Sequence, residues 1–197
     1  MAMPGHQRRR LTPDDWAAAA LAAIAEGGLA AMAVEPLAAR LGTTKGSFYW
    51  HFANREALLA AALARWERET TTDVGARVQV ASPDPAVRLR LLITEVVEMA
   101  EADRVGLALL ASAADPAVAL ALSRVTEQRL AIVAALFGEL GFPPAAARRR
   151  ALLAYSSYLG HAQLSHTTPH LLPQARGARQ AYLNDVVAVL TSPPQRP

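Results

Sequence analysis

The chain has 197 residues, 52% hydrophobic and 19% charged, ample for a real core and the reverse of a disordered composition. It has no cysteine, which excludes a disulfide scaffold, a thiol nucleophile and any cysteine-ligated zinc or iron–sulfur site; this suits a reducing cytoplasm, the expected location. The net charge of +3 is unevenly placed, +2 over residues 1–55, −4 over 56–141 and +5 over 142–197, so the chain is not built to be coated with polyanion throughout.

Nearly every segment reads as helix, because Ala and Leu dominate and no window shows the alternation of a strand. Residues 1–10 carry charge but no apolar run behind it, so they read as a flexible basic arm, not a signal peptide. Thr12, Pro13 and Asp15 give a cap, a first-turn proline and an acid three residues on. Trp16, Ala20, Ala23 and Ile24 then share one face, and Gly27-Gly28 ends that helix. Short helices are expected over 35–41 and 45–51, and a long one from about Asn54. Pro83 and Pro85 mark a break. Leu89, Leu92, Ile93, Val96, Val97 and Ala100 form the stripe of an amphipathic helix. A short helix over 103–113 follows. Asp115-Pro116 opens a long helix towards Leu140 and interrupts the longest apolar stretch, so no membrane span is expected. After the turn at 141–144, helices are expected over 145–163 and 174–190, joined by a His/Thr/Pro loop. Residues 192–197 read as a frayed tail.

The informative stretch is residues 34–55, VEPLAARLGTTKGSFYWHFANR. Val34, Leu37, Ala38 and Leu41 make one apolar face. Gly42 supplies a turn where a positive φ is expected. Thr44 is placed to cap the next short helix, in which Phe48 and Phe52 point inward. Two short helices about a glycine turn are the helix-turn-helix pattern. Outside the two phenylalanines lie Lys45 (the chain's one lysine), Gly46, Ser47, Tyr49, Trp50 and His51. Donors mixed with flat rings suit a helix laid in a DNA major groove. Gly46 lets the backbone come close, and Arg55 at a helix N-terminus suits a phosphate.

The run LAARLGTTKGSFYWHFANREALL resembles the N-terminal domain of the TetR family of transcriptional regulators, and residues 11–60 continue the likeness without a gap. The resemblance implies an all-α fold: a three-helix DNA-binding head (11–55) and a larger helical body (56–191) that binds ligand and dimerises. It implies that Thr44, Lys45 and Ser47 face DNA, that Tyr49 and His51 lie near phosphates or base edges, and that Arg55 replaces a phosphate-contacting lysine. Thr43 stands where an apolar residue is usual, and its methyl is read as packing.

Other features have two readings each. Residues 8–10 are an arm for phosphate or minor groove, or a solvated tail. Arg148, Arg149 and Arg150 oppose the dipole of the helix they open, so an acidic partner is expected; a second nucleic-acid patch is the alternative. Tyr155, Tyr158, His161 and His166 lie near one helix face without a metal-binding or catalytic motif, so they read as pocket or interface lining. Trp66 and Met99 are pocket candidates that plain core packing also explains. Leu183, Val186, Val187 and Leu190 form a narrow apolar stripe, and Ala151 and Ala154, with Tyr155 beside them, permit close helix approach; these seven residues are the expected dimer interface.

The reading is a ligand-responsive repressor, not an enzyme, binding a near-palindromic double-stranded DNA operator as a homodimer and released by an unidentified small-molecule effector. No cofactor or metal is expected. The alternatives are a small helical enzyme and a protein–protein adaptor using the C-terminal body.

Overall fold

The computed structural model describes residues 10–192; the rest of the expected arm and tail lies outside them. Ten α-helices and no strand make up these described residues. The head contains α1 (Pro13–Gly27), α2 (Val34–Arg40), α3 (Lys45–Tyr49) and α4 (Arg55–Glu67). The chain then passes through one π turn, Arg68–Thr72, into α5 (Asp73–Ala81), α6 (Pro85–Ala102), α7 (Arg104–Ala111), α8 (Pro116–Glu139), α9 (Pro144–Thr167) and α10 (Arg176–Thr191).

Helix starts follow their chemistry. The Asp15 backbone N–H donates to Thr12 Oγ1 at 3.2 Å and the Thr12 N–H donates back to Asp15 Oδ2 at 2.8 Å, a reciprocal capping box. Asn54, Asp84, Asp103 and Asp115 each accept a first-turn N–H of the helix they precede. Gly42 has φ +63, as the turn requires. The penultimate helix runs past the expected end at residue 163 to Thr167.

Two apolar clusters form. Trp16, Ile24, Leu37, Phe48, Leu58 and Leu63 fill the head, and Leu109, Val118 and Val125 of α7 and α8 complete the same core. The head boundary expected at residue 55 therefore falls at the start of a helix whose inner face belongs to the head core. The second cluster joins Val78, Leu89, Ile93, Val97 and Phe137 in the body.

That second cluster takes in much of the stripe expected at the dimer interface. Leu183, Val187 and Leu190 are buried in it, and Val186 and Ala154 pack against it. Ala151 is buried in its own chain as well. The α10 stripe faces α6 and α9, so these residues are core of the lone chain. The surface left open on α9 carries Leu152, Leu153, Ser156 and Gly160, and that on α10 carries Ala181, Asp185 and Val189.

The arginine run is corrected. Among the described residues Arg150 pairs with no acid. Its Nη1 donates to the Val189 carbonyl at 2.7 Å and its Nη2 to the Ser192 carbonyl at 2.8 Å, capping the C-terminus of α10.

Candidate nucleic-acid interface and effector cavity

The second helix of the helix-turn-helix pair is held from below. Phe48 is fully buried, with Trp16 edge-on at 5.4 Å and Phe52 stacked at 5.6 Å. This fixes α3 so that its other face points outward. Trp50 is 88% exposed and Tyr49 57% exposed. Water-facing rings of that size are costly in a face that serves only solvation. Thr44, Lys45 and Gly46 are exposed beside them, with Ser47 and His51 half-buried. The helix is shorter than expected, ending at Tyr49, and the Thr44 hydroxyl makes no cap bond. A groove lined by Arg10, Gly42, Thr43, Ser47, Trp50 and His51 runs along this face.

Lys45 donates to Glu35 Oε1 of α2 at 2.8 Å. That hydrogen bond, with the attraction behind it, raises the lysine pKa and lowers that of the carboxyl. Both groups are exposed, so water and dissolved ions compete for this pair.

Arg55 differs from expectation. Its Nε donates to the Met32 carbonyl at 3.0 Å and its Nη2 to the Leu29 carbonyl at 2.6 Å. The guanidinium ties α4 to the turn before α2, and this half-buried position makes it a clamp within the head. Only a long-range fold relationship, invisible to local spacing, brings those carbonyls to it.

In the body, Met99, Tyr155 and Tyr158 line a cavity walled by α5, α6, α8 and α9. Trp66 does not line it. Trp66 is buried at the junction with the head and borders an adjoining cavity that Tyr155 and Tyr158 share. Tyr155 and Tyr158 stack at 5.9 Å, and burial raises the Tyr158 pKa. Arg129, which sequence reasoning missed, borders both cavities. Its partners are contributed by the π turn about 60 residues earlier. His161 and His166 do not converge on a reaction centre: His161 Nε2 lies 3.3 Å from Glu101 Oε1, and His166 Nε2 lies 3.0 Å from the Ala100 carbonyl. Among the described residues no three His, Cys, Asp or Glu groups are placed to hold a metal ion, and no helix is long and apolar enough to cross a membrane.

A buried three-helix frame that presents a short polar and aromatic helix, set on a helical body, defines a helix-turn-helix fold. Residues 17–62 match the model of the family described as bacterial regulatory proteins, tetR family, so the head of this chain is similar to the DNA-binding head of that family. A transcriptional regulator from Rhodococcus sp. Rha1 aligns over 92% of this chain and 94% of its own, with 24% identity and a TM-score of 0.69. SmeT, the repressor of the Stenotrophomonas maltophilia multidrug efflux pump SmeDEF, aligns over 93% and 92%, with 22% identity and a TM-score of 0.65. The reduced form of NemR from E. coli aligns over 89% and 96%, with 16% identity and a TM-score of 0.72. At these identities the likeness is one of fold. No curated protein matches the chain significantly by sequence.

Proposed function

We propose that this regulator is a cytoplasmic repressor that binds a near-palindromic operator as a homodimer and releases it on binding a small-molecule effector in the body. The observation that carries the reading is the outward face of α3: Trp50 and Tyr49 stand exposed on a helix whose Phe48 is fully buried. Thr44, Lys45, Gly46, Ser47, Tyr49, Trp50 and His51 make the DNA contacts, with bases read from the groove face and phosphates held at its rim. Arg55 acts from behind, by fixing the head against α4. The chain has no catalytic role in this reading, and the histidines serve structure.

Effector response follows from how α4 is held. Its first residue, Arg55, bonds the head. Its last turn runs into the π turn, whose Thr70 and Thr71 are held by Arg129 at the cavity. One helix thus borders both ligands, so a cavity occupant that favours one position of α4 changes DNA affinity by linkage. Met99, Tyr155 and Tyr158 contact the effector, with Trp66 behind them. The second copy docks on the open faces of α9 and α10, and two heads then read two half-sites.

The experiment is an electrophoretic shift of the full chain on its own upstream intergenic duplex and on a random duplex, over a salt series. The expected result is preference for the upstream duplex, lost in a Lys45→Ala/Trp50→Ala variant that keeps its helical spectrum. Equal binding of both duplexes, or normal binding by the variant, overturns the reading.

A further inference from the structure

The cavity in the body has one feature that specifies its occupant more closely, given that it is the effector site. Along α6 it is apolar: Leu89, Leu92, Ile93, Val96 and Met99 face it. That span of helix is about 15 Å long, and the free volume beside it is about 80 Å³, so an alkyl chain enters as the apolar side chains lining it give way. Arg129 interrupts this character from α8. Its Nε donates to Thr71 Oγ1 at 2.9 Å and its Nη2 to Thr70 Oγ1 at 3.0 Å. The guanidinium carbon lies 5.6 Å from the ring centres of both Trp66 and Tyr158. These partners are all neutral. Of the other half-buried or buried arginines of the body, Arg88 pairs with Glu139 and Arg179 with Glu101, while Arg150 is spent on the carbonyls that end α10, away from the cavity. A cation taken out of water with no counter-charge is costly, and the cost is relieved when an anion pairs with it.

A second observation concerns the adjoining cavity that Arg129 also borders. There the Trp66 indole Nε1 is buried and has no acceptor, a donor an anionic oxygen would satisfy. Asp103 borders both cavities and is the one acid on them. Its Oδ1 accepts from Gly106 N–H at 2.8 Å, at the N-terminus of α7, where the helix dipole offsets part of its charge. The Trp66 donor is therefore open, the Arg129 donors rest on neutral hydroxyls that an anion can replace, and one oxygen of the acid is occupied.

We propose that the effector is a lipophilic monoanion, with its apolar part along α6 and one carboxylate-type group paired with Arg129. Pairing draws the guanidinium from Thr70 and Thr71, which loosens the π turn at the end of α4.

The test is calorimetric titration of the full chain with decanoate, 1-decanol and decyltrimethylammonium. Decanoate is expected to bind at least about tenfold more tightly than decanol, with the cation weakest. In Arg129→Met the decanoate and decanol affinities should fall within about twofold of each other, with decanol unchanged from the parent. Comparison of the three probes on the parent chain needs no variant to fold. Decanol binding as tightly as decanoate, or the cation binding best through Asp103, overturns the monoanion and leaves the effector cavity standing. No binding by any of the three overturns the cavity as an effector site for such chains, and the inference with it.

Discussion

The Arg55 Nε donates to the Met32 carbonyl at 3.0 Å, across 23 residues of sequence. With the Leu29 contact beside it, this bond pins the start of α4 to the turn that leads into the helix-turn-helix pair. Arg55→Ala leaves two part-buried carbonyls short of a charged donor, at a cost of about 2 kcal/mol. The expected outcome is a lower melting temperature and weaker operator binding. The slope of log K against log salt should stay as in the parent, whereas loss of one phosphate contact lowers it by about 0.9. A lowered slope with unchanged stability would return Arg55 to the DNA interface.

On the proposed reading Glu35 competes with DNA for Lys45. Its carboxylate holds Lys45 at 2.8 Å on an exposed surface and brings negative charge to the face that meets phosphates. Glu35→Gln frees the ammonium and removes that repulsion. Affinity for duplex DNA at low salt should rise by up to about fivefold, the scale of one exposed ion pair. Fluorescence anisotropy on operator and random duplexes reads it. A loss of affinity would mean that the ion pair positions Lys45 for its contact.

The two glycines of the pair make opposite expectations. A Cβ at Gly42 meets nothing within 4 Å, but φ is +63. Gly42→Ala should therefore destabilise by about 1–2 kcal/mol through backbone conformation alone. At Gly46 a Cβ would make an ordinary 3.6 Å contact with Thr44 Oγ1, in a helix that alanine favours. Gly46→Ala should keep or raise the melting temperature while weakening operator binding, because the added methyl stands between α3 and the groove. Operator binding unchanged in Gly46→Ala would remove close backbone approach from the account.

The signals legible in the sequence were local ones. The capping box at Thr12, the turn at Gly42 and the inward pair Phe48 and Phe52 each depend on neighbours within four residues, so spacing reveals them. The Arg55 clamp and the Arg129 latch depend on carbonyls and hydroxyls more than twenty residues away, and nothing in their local sequence marks them. The π turn is similar: Arg68, Glu69 and three threonines read as ordinary helix. The α10 stripe is a different case. An apolar face has the same spacing whether it meets its own chain or another copy, so periodicity located Leu183, Val187 and Leu190 as buried without saying against what.

That last distinction sets the final prediction. Val187 lies 7% exposed among Leu89, Ile93 and Phe137 of its own chain. Val187→Glu therefore puts a carboxylate into the body core, where an unpaired charge costs several kcal/mol. The body should unfold or melt far below the parent, and loss of dimerisation would follow from that alone. Leu153 on α9 is 45% exposed, on the same open face as Ser156 and Gly160. Leu153→Glu leaves the lone chain as it is, since the new charge faces water. Between two copies it places two carboxylates near the two-fold axis, or one against an apolar partner face, and either weakens association. The expected outcome is a folded monomer with the parent's helical spectrum and a much weaker hold on a two-half-site operator, because a single head reads one half-site. Sedimentation velocity at micromolar concentration, paired with circular dichroism, separates the two variants. Leu153→Glu remaining dimeric would move the interface off α9. Val187→Glu remaining folded and turning monomeric would put α10's stripe back at the interface, against its burial in the chain.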